Sequence, residues 1–398
     1  MKVLIVGGGF GGIRAALELA KDKSNEITLI SDKPDFQYYP TMYSSATGYS
    51  HNETWAPLGE IFADIDNITV YIDTIEKIDG LEKTVTGSTG TEYHYTTLIM
   101  AIGVVTTYFN IPGLETYAHG IKSDDEIRKL KQHLFVDIAD KKMLDKNYVV
   151  IGAGPTGVEL AAALGTYIRR LCRHYGIKRP NVRVRLIEAA PRVLPRSSEK
   201  TSRKVTKRLK NLGVIVETNK RVERAKAKEL IVSGKVIESH TVIWTSGVVN
   251  HPFFAAHPDV FTIAKNGRVE VDDYLMAYPS VYVLGDNAAT PYTGLAQTAI
   301  HDAVTVARNL KRQAKKQAPR KYKARMPVSA IPVGKRWAVI EWHWIRIYGW
   351  LGAMIRRASD LIGHMDILPI GTSLGAWHAG RVYENDYFTP TVKTKKIK

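Results

Sequence analysis

The chain has 398 residues, of which 44% are hydrophobic, as is ordinary for a folded protein of two or three domains. Its single cysteine, Cys172, excludes an intramolecular disulfide, a redox cysteine pair and a CxxC metal site, and no metal site is predicted. No run of 18 or more uncharged apolar residues occurs, so we expect no helix that spans a bilayer. The short apolar run before Gly7 does not resemble a signal peptide, so we expect no export by that route.

The net charge of +17 is concentrated in the last quarter of the sequence. After Asp302 there are 19 Lys and Arg against five Asp and Glu, and no acidic residue lies between Asp302 and Glu341. A patch of this sign attracts anionic lipid headgroups or nucleic acid. Because no nucleic-acid-binding motif accompanies it, we expect an anionic membrane surface and no nucleic acid as the partner.

The first of two nucleotide-binding motifs lies near the start of the sequence. Residues 3–6 are apolar and mostly β-branched, which is typical of a buried parallel strand. Residues 7–12 read Gly-Gly-Gly-Phe-Gly-Gly and fit the GxGxxG pattern. A helical pattern over 13–20 and a second strand over 27–30 supply the context that the pattern requires.

Each glycine of this motif has a distinct role. Gly7 permits the tight turn, Gly9 lets the backbone approach a pyrophosphate, and Gly12 lets the helix pack close to the strand. The N-terminus of the helix then faces the phosphates. At the end of the second strand, where an acid commonly binds the ribose, the sequence has Ser31 followed by Asp32, and either residue could fill the role.

A second motif of the same kind follows. An apolar strand over 148–151 leads into Gly-Ala-Gly-Pro-Thr-Gly at 152–157, and a long helix is predicted to run to about residue 175. A strand pattern over 182–187 ends at Glu188. Two such motifs in one chain are a much stronger signal than one, and they predict electron transfer between two bound dinucleotides.

The residues of the second motif indicate NAD(H). Gly152, Gly154 and Gly157 take the three glycine roles, and a carboxylate at Glu188 accepts hydrogen bonds from an adenosine ribose while repelling a 2′-phosphate. The nearby Arg192 weakens this preference slightly, because an arginine could bind that phosphate.

A third element favours FAD at the first site. Residues 281–284 form an apolar strand that ends in Gly285-Asp286, far from the first motif. In flavoproteins with two dinucleotides the chain returns at this point to finish the flavin domain, and the aspartate binds the ribitol. A plain Gly-Asp turn is the alternative.

The predicted fold class is α/β, with two Rossmann-like dinucleotide-binding domains and a C-terminal amphipathic-helical membrane-anchoring region. The FAD-binding domain is discontinuous, and the NAD-binding domain is inserted into it. We predict the two parts of the FAD domain at 1–112 and 248–330, the NAD(H)-binding domain at 113–247, and the membrane-association region at 331–398.

The C-terminal region combines tryptophans with an apolar helical stripe. Five of the seven tryptophans lie within 337–382. The stripe consists of Ile347, Trp350, Leu351, Met354, Ile355, Ala358, Leu361, Ile362 and Met365. Residues largely on the other side are Arg346, Arg356, Arg357, Asp360 and His364.

This pattern predicts a helix lying in a membrane interface, with tryptophans at headgroup depth and cations facing lipid phosphates. The basic run over 308–325 lies just upstream. Two alternatives remain: a helix packed on the protein's own core, and a homodimer contact through the same region. The last residues, 393–398, are predicted to be a disordered basic end.

Over roughly residues 1–310 the sequence resembles the type II NADH dehydrogenases, which are single-subunit NADH:quinone oxidoreductases. Beyond the two motifs, the resemblance rests on Phe36-Gln37-Tyr38-Tyr39-Pro40, Ala46-Thr47-Gly48, Leu98-Ile99-Met100-Ala101-Ile102-Gly103, Ile111-Pro112-Gly113, Glu188-Ala189-Ala190-Pro191-Arg192-Val193-Leu194-Pro195, Trp244-Thr245-Ser246-Gly247 and Ala296-Gln297-Thr298-Ala299-Ile300-His301. The last segment is the most specific: the family has Ala-Gln-x-Ala-x-Gln there, and His301 replaces the second glutamine.

The resemblance implies two sets of cofactor contacts. Those with FAD are Gly7, Gly9, Gly12, Ser31, Asp32, Ala101, Gly103, Gly285, Asp286, Ala296 and Gln297. Those with NAD(H) are Gly152, Gly154, Gly157, Glu188 and Gly247. It further implies catalytic roles for Glu159, Gln297 and His301.

The expected reaction is hydride transfer from NADH to FAD and transfer of two electrons to a membrane quinone, without proton pumping. Gln297 should lie beside the isoalloxazine and the quinone head. Glu159 is expected to move a proton or orient a substrate, or alternatively to be a helix-start carboxylate that stabilises the helix dipole. His301 either adds a titratable group at the quinone site or merely packs. We expect a peripheral enzyme on the cytoplasmic face of a prokaryotic plasma membrane.

Three other functions are weighed against this one. A sulfide:quinone reductase has the same architecture, but it needs a cysteine pair that this sequence lacks. A soluble NADH-dependent reductase of a ferredoxin or rubredoxin would also suit a basic surface. A redox sensor that holds FAD and NAD without rapid turnover is the third.

Overall fold

The first strand, turn and helix form where the glycine motif predicts them. In the computed structural model, which describes residues 1–384, a buried strand ends at Val6, directly before Gly7, and a helix begins directly after Gly9. The predicted basic end at 393–398 lies outside the described residues. The elements up to residue 106 are β1 Lys2–Val6, α1 Phe10–Leu19, β2 Glu26–Ser31, β3 Asp35–Gln37, α2 Met42–Ala46, β4 Trp55–Pro57, α3 Leu58–Phe62, β5 Ile68–Ile72, β6 Ile75–Asp79, β7 Thr84–Gly87, β8 Glu92–His94, β9 Thr97–Met100 and β10 Val104–Thr106.

The second glycine motif has the same context. A strand ends at Ile151, and the predicted long helix begins at Pro155, a residue that suits the first helical position. Cys172 is buried on this helix. The elements that follow β10 are α4 Leu114–Tyr117, β11 Ala118–His119, α5 Asp124–Phe135, β12 Tyr148–Ile151, α6 Pro155–His174, β13 Val184–Ile187, α7 Glu199–Asn211, β14 Val214–Glu217, β15 Val222–Lys226, β16 Glu229–Val232, β17 Lys235–Glu238, β18 Thr241–Trp244 and β19 Val248–Asn250.

The predicted strand before Gly285 is also confirmed. The remaining elements are α8 Pro252–Ala256, β20 Met276–Tyr278, β21 Val281–Val283, α9 Ala296–Ala314, β22 Ser329–Pro332, β23 Ala338–Trp342, β24 Ile345–Gly349, α10 Trp350–Met365 and α11 Ile370–Ala379.

Two parallel sheets form the body of the protein. The first has the order β20-β21-β9-β1-β2-β5, with only β20 antiparallel to its neighbour, and the second has the order β11-β18-β12-β13-β14, with every pair parallel. Buried helices cover these sheets, as parallel sheets require. Because β21 joins strands from the start of the chain, the first unit is discontinuous, as predicted.

The chain passes between the two sheets twice. β10 leads out of the first sheet, β19 leads back, and the two strands pair antiparallel from Val104–Asn250 to Thr106–Val248. This paired crossover brings the carboxyl ends of β9, β12 and β18 toward one another, which is the edge where ligands of parallel sheets bind. The exact domain limits 112/113, 247/248 and 330/331 stay predictions.

The C-terminal region contains a sheet that the sequence pattern did not predict. The helix over the predicted stripe is present as α10, but an antiparallel sheet of β22, β23 and β24 precedes it. The prediction that Ile347 belongs to the helical stripe is wrong, because this residue lies in β24. Gly349, at a φ of +87°, ends that strand and permits the turn into the helix. Within residues 1–384 no helix combines the length and the apolar character needed to cross a bilayer.

Candidate active site

The first glycine turn is shaped for a close backbone approach. Gly7 has a φ of +117°, and a Cβ there would lie 2.2 Å from the Ala101 carbonyl oxygen. A Cβ on Gly12 would lie 1.9 Å from the Gly7 carbonyl oxygen, so the helix could not pack against the turn. In front of Gly9, by contrast, the space within 4 Å is open. That opening, at the N-terminus of α1, fits the pyrophosphate of a dinucleotide.

The two residues at the end of β2 have different surroundings. Ser31 is buried, and its hydroxyl donates to the Lys33 carbonyl oxygen at 2.7 Å, which closes a local turn. Asp32 is exposed. Of the two alternatives for the ribose contact, the carboxylate of Asp32 is therefore the better placed.

A buried asparagine, which the sequence analysis did not identify, holds the end of the β9 loop. Asn287 accepts a hydrogen bond from the Gly103 amide at 2.8 Å and donates to the Gly103 carbonyl oxygen at 2.5 Å. It also donates to the Asn250 side chain at 2.8 Å, on the returning crossover strand. Asn287 therefore fixes the predicted flavin contact Gly103 to both the first sheet and the crossover.

The Gly285-Asp286 turn is held from α9. The buried carboxylate of Asp302 accepts a hydrogen bond from the Gly285 amide at 2.9 Å, and burial raises the pKa of Asp302 to about 6. Asp286 accepts from the Gly294 amide at 3.0 Å, and burial raises the pKa of its carboxyl group. Asp302 therefore fixes the backbone at Gly285, directly before Asp286, which is the predicted ribitol contact.

The second glycine turn repeats the geometry of the first. Gly152 has a φ of +100°, and a Cβ on Gly157 would lie 1.8 Å from the Gly152 carbonyl oxygen. The space within 4 Å of Gly154 is open, and this residue lies directly before α6. The turn therefore fits a second dinucleotide.

Glu188 lies at the end of β13 and contacts this turn. Its carboxylate accepts hydrogen bonds from the amides of Ala153 at 2.6 Å and Ala190 at 2.8 Å. Arg192 donates to the carbonyl oxygens of Ser197 at 2.6 Å and Pro195 at 2.7 Å, so its guanidinium closes its own loop. Arg192, the residue that could bind a 2′-phosphate, is therefore engaged in hydrogen bonds within its own loop.

Gly247, at the carboxyl end of β18, is held by a lysine that the sequence analysis missed. The ammonium group of Lys122 donates to the Gly247 carbonyl oxygen at 3.1 Å, and the Thr107 amide donates to the same oxygen at 3.2 Å. Burial lowers the pKa of Lys122. This lysine lies two residues before α5 and so connects the start of that helix to Gly247.

Glu159 is buried in the first turns of α6. Burial raises the pKa of its carboxyl group to about 8, while the positive charge of Arg356 acts in the opposite direction. The carboxyl group is therefore mostly protonated at neutral pH. The arginine belongs to α10, so this predicted catalytic residue lies at the junction of the NAD-binding region and the C-terminal region.

Gln297 and His301 contact the extended segment that follows α9. The amide of Gln297 exchanges two hydrogen bonds of 3.0 Å with the backbone of Val328, and His301 Nε2 lies 2.9 Å from the Lys323 carbonyl oxygen. Ala296 is the first residue of the helix. The two predicted quinone-site side chains thus share one face of α9 and both hold the chain that leads to the C-terminal region.

The helix α10 turns its polar side inward and its apolar stripe outward. His364 is buried, lies 3.0 Å from the Glu53 carbonyl oxygen and stacks on Tyr38, with ring centroids 4.0 Å apart. Arg356 donates to the Pro40 carbonyl oxygen at 2.8 Å. The expectation that the cations of this helix face lipid phosphates is therefore wrong for Arg356, because its guanidinium satisfies buried groups of the protein.

The outward side of the C-terminal region forms an apolar surface, here called the tail patch. Its tryptophans and long aliphatic residues are strongly exposed, for example 82% at Trp344, 67% at Trp350 and 62% at Ile362. Its members are Trp342, Trp344, Trp350, Leu351, Met354, Ile362, Met365, Ile370 and Leu374. Large contiguous apolar surfaces of this kind mark protein or membrane contacts.

Comparison with known proteins is consistent with this geometry. The family model of the pyridine nucleotide-disulphide oxidoreductases matches residues 1–303. The type II NADH:quinone oxidoreductase NdhA of Mycobacterium tuberculosis is 32% identical over 328 residues, covering 76% of this chain and 69% of that protein. The type II NADH:quinone oxidoreductase of Staphylococcus saprophyticus is 29% identical over 334 residues, covering 78% and 82%.

Solved structures show the same fold. NDH2 from Plasmodium falciparum in complex with NADH has a TM-score of 0.84 and 18% identity, with 98% of this chain and 99% of that chain covered. The sulfide:quinone oxidoreductase of Aquifex aeolicus has a TM-score of 0.78 and 20% identity, with 94% and 93% covered. From the family match and the relative at 32% identity, the chain belongs to the pyridine nucleotide-disulphide oxidoreductase family and, within it, to the type II NADH:quinone oxidoreductases.

Proposed function

We propose that this protein oxidises NADH and reduces a quinone, with FAD as its bound cofactor. The observation that carries the proposal is the pair of glycine turns, which leave open space at Gly9 and at Gly154. The paired crossover strands connect the two units that contain these turns, in a chain that belongs to this family. When bound, the flavin accepts two electrons from a reduced nicotinamide and passes them to a quinone.

The residues of the first site fit FAD. The opening at Gly9 admits a pyrophosphate at the N-terminus of α1, and the exposed carboxylate of Asp32 suits a ribose hydroxyl. Asp286 suits the ribitol, and Gly103 offers backbone groups whose position Asn287 fixes. These residues bind and orient the cofactor, and the hydrogen bonds behind them keep the site from rearranging.

The second site is proposed to select NADH over NADPH. Glu188 supplies a carboxylate beside the glycine turn. This carboxylate would accept a hydrogen bond from a ribose hydroxyl and repel a 2′-phosphate. Lys122 positions Gly247 at the far end of the site, next to the crossover strands. The nicotinamide end of the dinucleotide would therefore lie toward the flavin-binding region.

Glu159 is proposed to hold a proton near the redox centre. Since burial raises the pKa of its carboxyl group to about 8, the group can release or take up a proton close to physiological pH. Reduction of a quinone to a quinol consumes two protons, so a buried group of this kind has a direct use in the reaction.

The quinone is proposed to bind near the start of α9. Gln297 and His301 lie one turn apart there, and both contact the segment that leads into the tail patch. This arrangement would bring an apolar substrate from the membrane to the flavin without passage through water. His301 would supply a ring nitrogen at this site, and its Nε2 lies 2.9 Å from the Lys323 carbonyl oxygen.

The tail patch is proposed to lie in the membrane interface, at the cytoplasmic face of a prokaryotic plasma membrane. Exposed tryptophans favour headgroup depth, and the basic residues of 308–325 suit anionic lipids. A homodimer through the same patch is the competing assignment, and a vesicle-binding measurement distinguishes the two.

Acceptor choice tests the proposed reaction most simply. The purified FAD-loaded chain should oxidise NADH rapidly with a short-chain quinone, and NADPH much more slowly. If NADH oxidation required a ferredoxin-type iron–sulfur protein and no quinone supported it, the quinone assignment would be refuted. His301→Gln should alter the KM for quinone but not the rate at which NADH reduces the flavin.

A further inference from the structure

A cluster of three ligating side chains lies outside both nucleotide sites. His133 near the end of α5, Asp137 in the following turn and His240 directly before β18 bring three ligand atoms within 4.8 Å of one another. We infer that His133, Asp137 and His240 form a binding site for a divalent transition-metal ion of the zinc class. Two imidazoles and one carboxylate are a ligand set that such ions accept, with water in a fourth position.

The distances suit a small ion. One oxygen of Asp137, Oδ2, lies 2.7 Å from His240 Nε2 and 3.6 Å from His133 Nε2. In a tetrahedral zinc site with bonds of about 2.0–2.1 Å, ligand atoms are separated by about 3.3 Å. The observed separations lie on either side of that value, so small movements of the side chains would complete the geometry.

The groups around the cluster orient its ligands. His240 Nδ1 lies 3.4 Å from Asp145 Oδ1, and this buried carboxylate also accepts the His240 amide at 2.9 Å. A carboxylate on the far nitrogen is what fixes the tautomer of metal-binding histidines and raises their basicity. The other oxygen of Asp137, Oδ1, is occupied by Lys141 at 2.9 Å, which leaves Oδ2 directed at the two histidines.

The fold builds this cluster at a distinct backbone feature. Residues Val136–Asp140 form one wide helical turn, in which the Lys141 amide donates to the Val136 carbonyl oxygen at 3.0 Å. Wide turns of this type occur frequently at functional sites. His119 packs on His133 with ring centroids 4.7 Å apart and so supports the position of this imidazole.

An ion at this site would join α5 to the start of β18. At the other end of the same two elements, Lys122 already joins them through the Gly247 carbonyl oxygen. The ion would replace the hydrogen bond between His240 Nε2 and Asp137 and the 2.9 Å hydrogen bond between His133 Nε2 and the Thr241 hydroxyl. It would thus stabilise the NAD-binding region at the edge opposite the nucleotide.

Zinc titration of the full-length, FAD-loaded chain tests the site. We expect calorimetry to show one Zn²⁺ bound per chain, and the unfolding temperature to rise with added Zn²⁺. His133→Gln and His240→Gln should each weaken Zn²⁺ binding by about 100-fold or more, because outer-shell changes alone cost about 10–100-fold. Asp145→Asn should weaken it by about 10-fold.

The controls separate this site from general surface binding. His94→Gln removes an exposed histidine from β8 and should leave Zn²⁺ affinity unchanged. A large excess of Ca²⁺, which prefers six to eight oxygen ligands, should not displace Zn²⁺. If either histidine variant fails to fold, Asp137→Asn gives the same comparison. Equal Zn²⁺ affinity in the wild type and the ligand variants, or no rise in unfolding temperature, would overturn the assignment.

Discussion

Arg356 and Asp360, one turn apart on α10, form an ion pair inside the protein, with 3.0 Å between Nη2 and Oδ1. Their side chains are only 13% and 12% exposed. Arg356 also donates to the carbonyl oxygens of Ala330 and Pro40, so the pair joins the C-terminal helix to two other segments. The polar side of the helix is thereby committed to the protein, and the apolar stripe faces outward.

The outward stripe should determine membrane binding. The triple variant Trp350→Ser, Met354→Ser, Ile362→Ser removes exposed apolar area without touching the inward polar contacts. We expect it to lower the fraction that sediments with anionic vesicles by at least about 10-fold, because each large side chain contributes about 1.5–3 kcal/mol when buried. Its unfolding temperature should stay close to that of the wild type.

A matched control is Leu81→Ser, which removes an 84% exposed leucine from the turn between β6 and β7. This variant should sediment with vesicles as the wild type does. If the triple variant instead keeps full vesicle binding and loses a dimer seen in solution, the tail patch is a contact between copies of the chain.

The sequence was sufficient to predict the two nucleotide-binding motifs and their surroundings. In each, glycine spacing, an apolar strand and a helical pattern are local signals, and the structure contains β1 with α1 and β12 with α6 at the predicted positions. The return of the chain to the first sheet followed from the order of the motifs along the chain.

Long-range contacts could not be predicted in the same way. Asn287 and Gly103 are 184 residues apart, and nothing local distinguishes this asparagine from one in an ordinary turn. The pattern of α10 shows which residues share a face, but not that Arg356 and His364 find buried partners in residues 38–53. The metal-ligating cluster likewise needs His240, which lies about a hundred residues from its two partners.

Removal of the Asn287 side-chain amide should weaken the binding of FAD. Asn287→Ala leaves the amide and carbonyl of Gly103 without partners, at a cost of about 2–3 kcal/mol in the free energy of unfolding. We expect this variant to lose its flavin on dialysis, as absorbance would report. Asn309→Ala is the matched control, since this buried asparagine exchanges two 2.9 Å hydrogen bonds with Arg320 instead. Comparable loss of flavin from both variants would contradict a specific role for Asn287.

Glu188 should govern the choice of nucleotide. Glu188→Gln removes a charged acceptor worth about 1.5–3 kcal/mol, so kcat/KM for NADH should fall by about 10- to 100-fold and the preference over NADPH should narrow. The steady-state rates with each nucleotide measure both effects. Glu217→Gln, at the end of the neighbouring strand, removes a carboxylate that pairs with Arg185 and should leave the preference unchanged. An unaltered NADH to NADPH ratio in Glu188→Gln would argue against the assignment.

Glu159 should introduce a pH dependence near pH 8. Because the folded-state pKa is raised, its stabilising contribution is complete below the unfolded value and is lost as the pH rises through about 8. The unfolding temperature of Glu159→Gln should therefore rise relative to the wild type between pH 6 and pH 9. The wild-type kcat should show an inflection near pH 8 that this variant lacks. Glu60→Gln, at an exposed glutamate, serves as the control. If the inflection in kcat persists in Glu159→Gln, it belongs to another ionisable group.

Anaerobic titration of the purified, FAD-loaded protein tests the central claim most directly. One equivalent of NADH should bleach the flavin absorbance, and a short-chain quinone added afterwards should restore it fully within the time of one turnover. Absorbance that NADH leaves unchanged, or that quinone fails to restore, would contradict an electron path from the nucleotide at Gly154, through the flavin at Gly9, to a quinone.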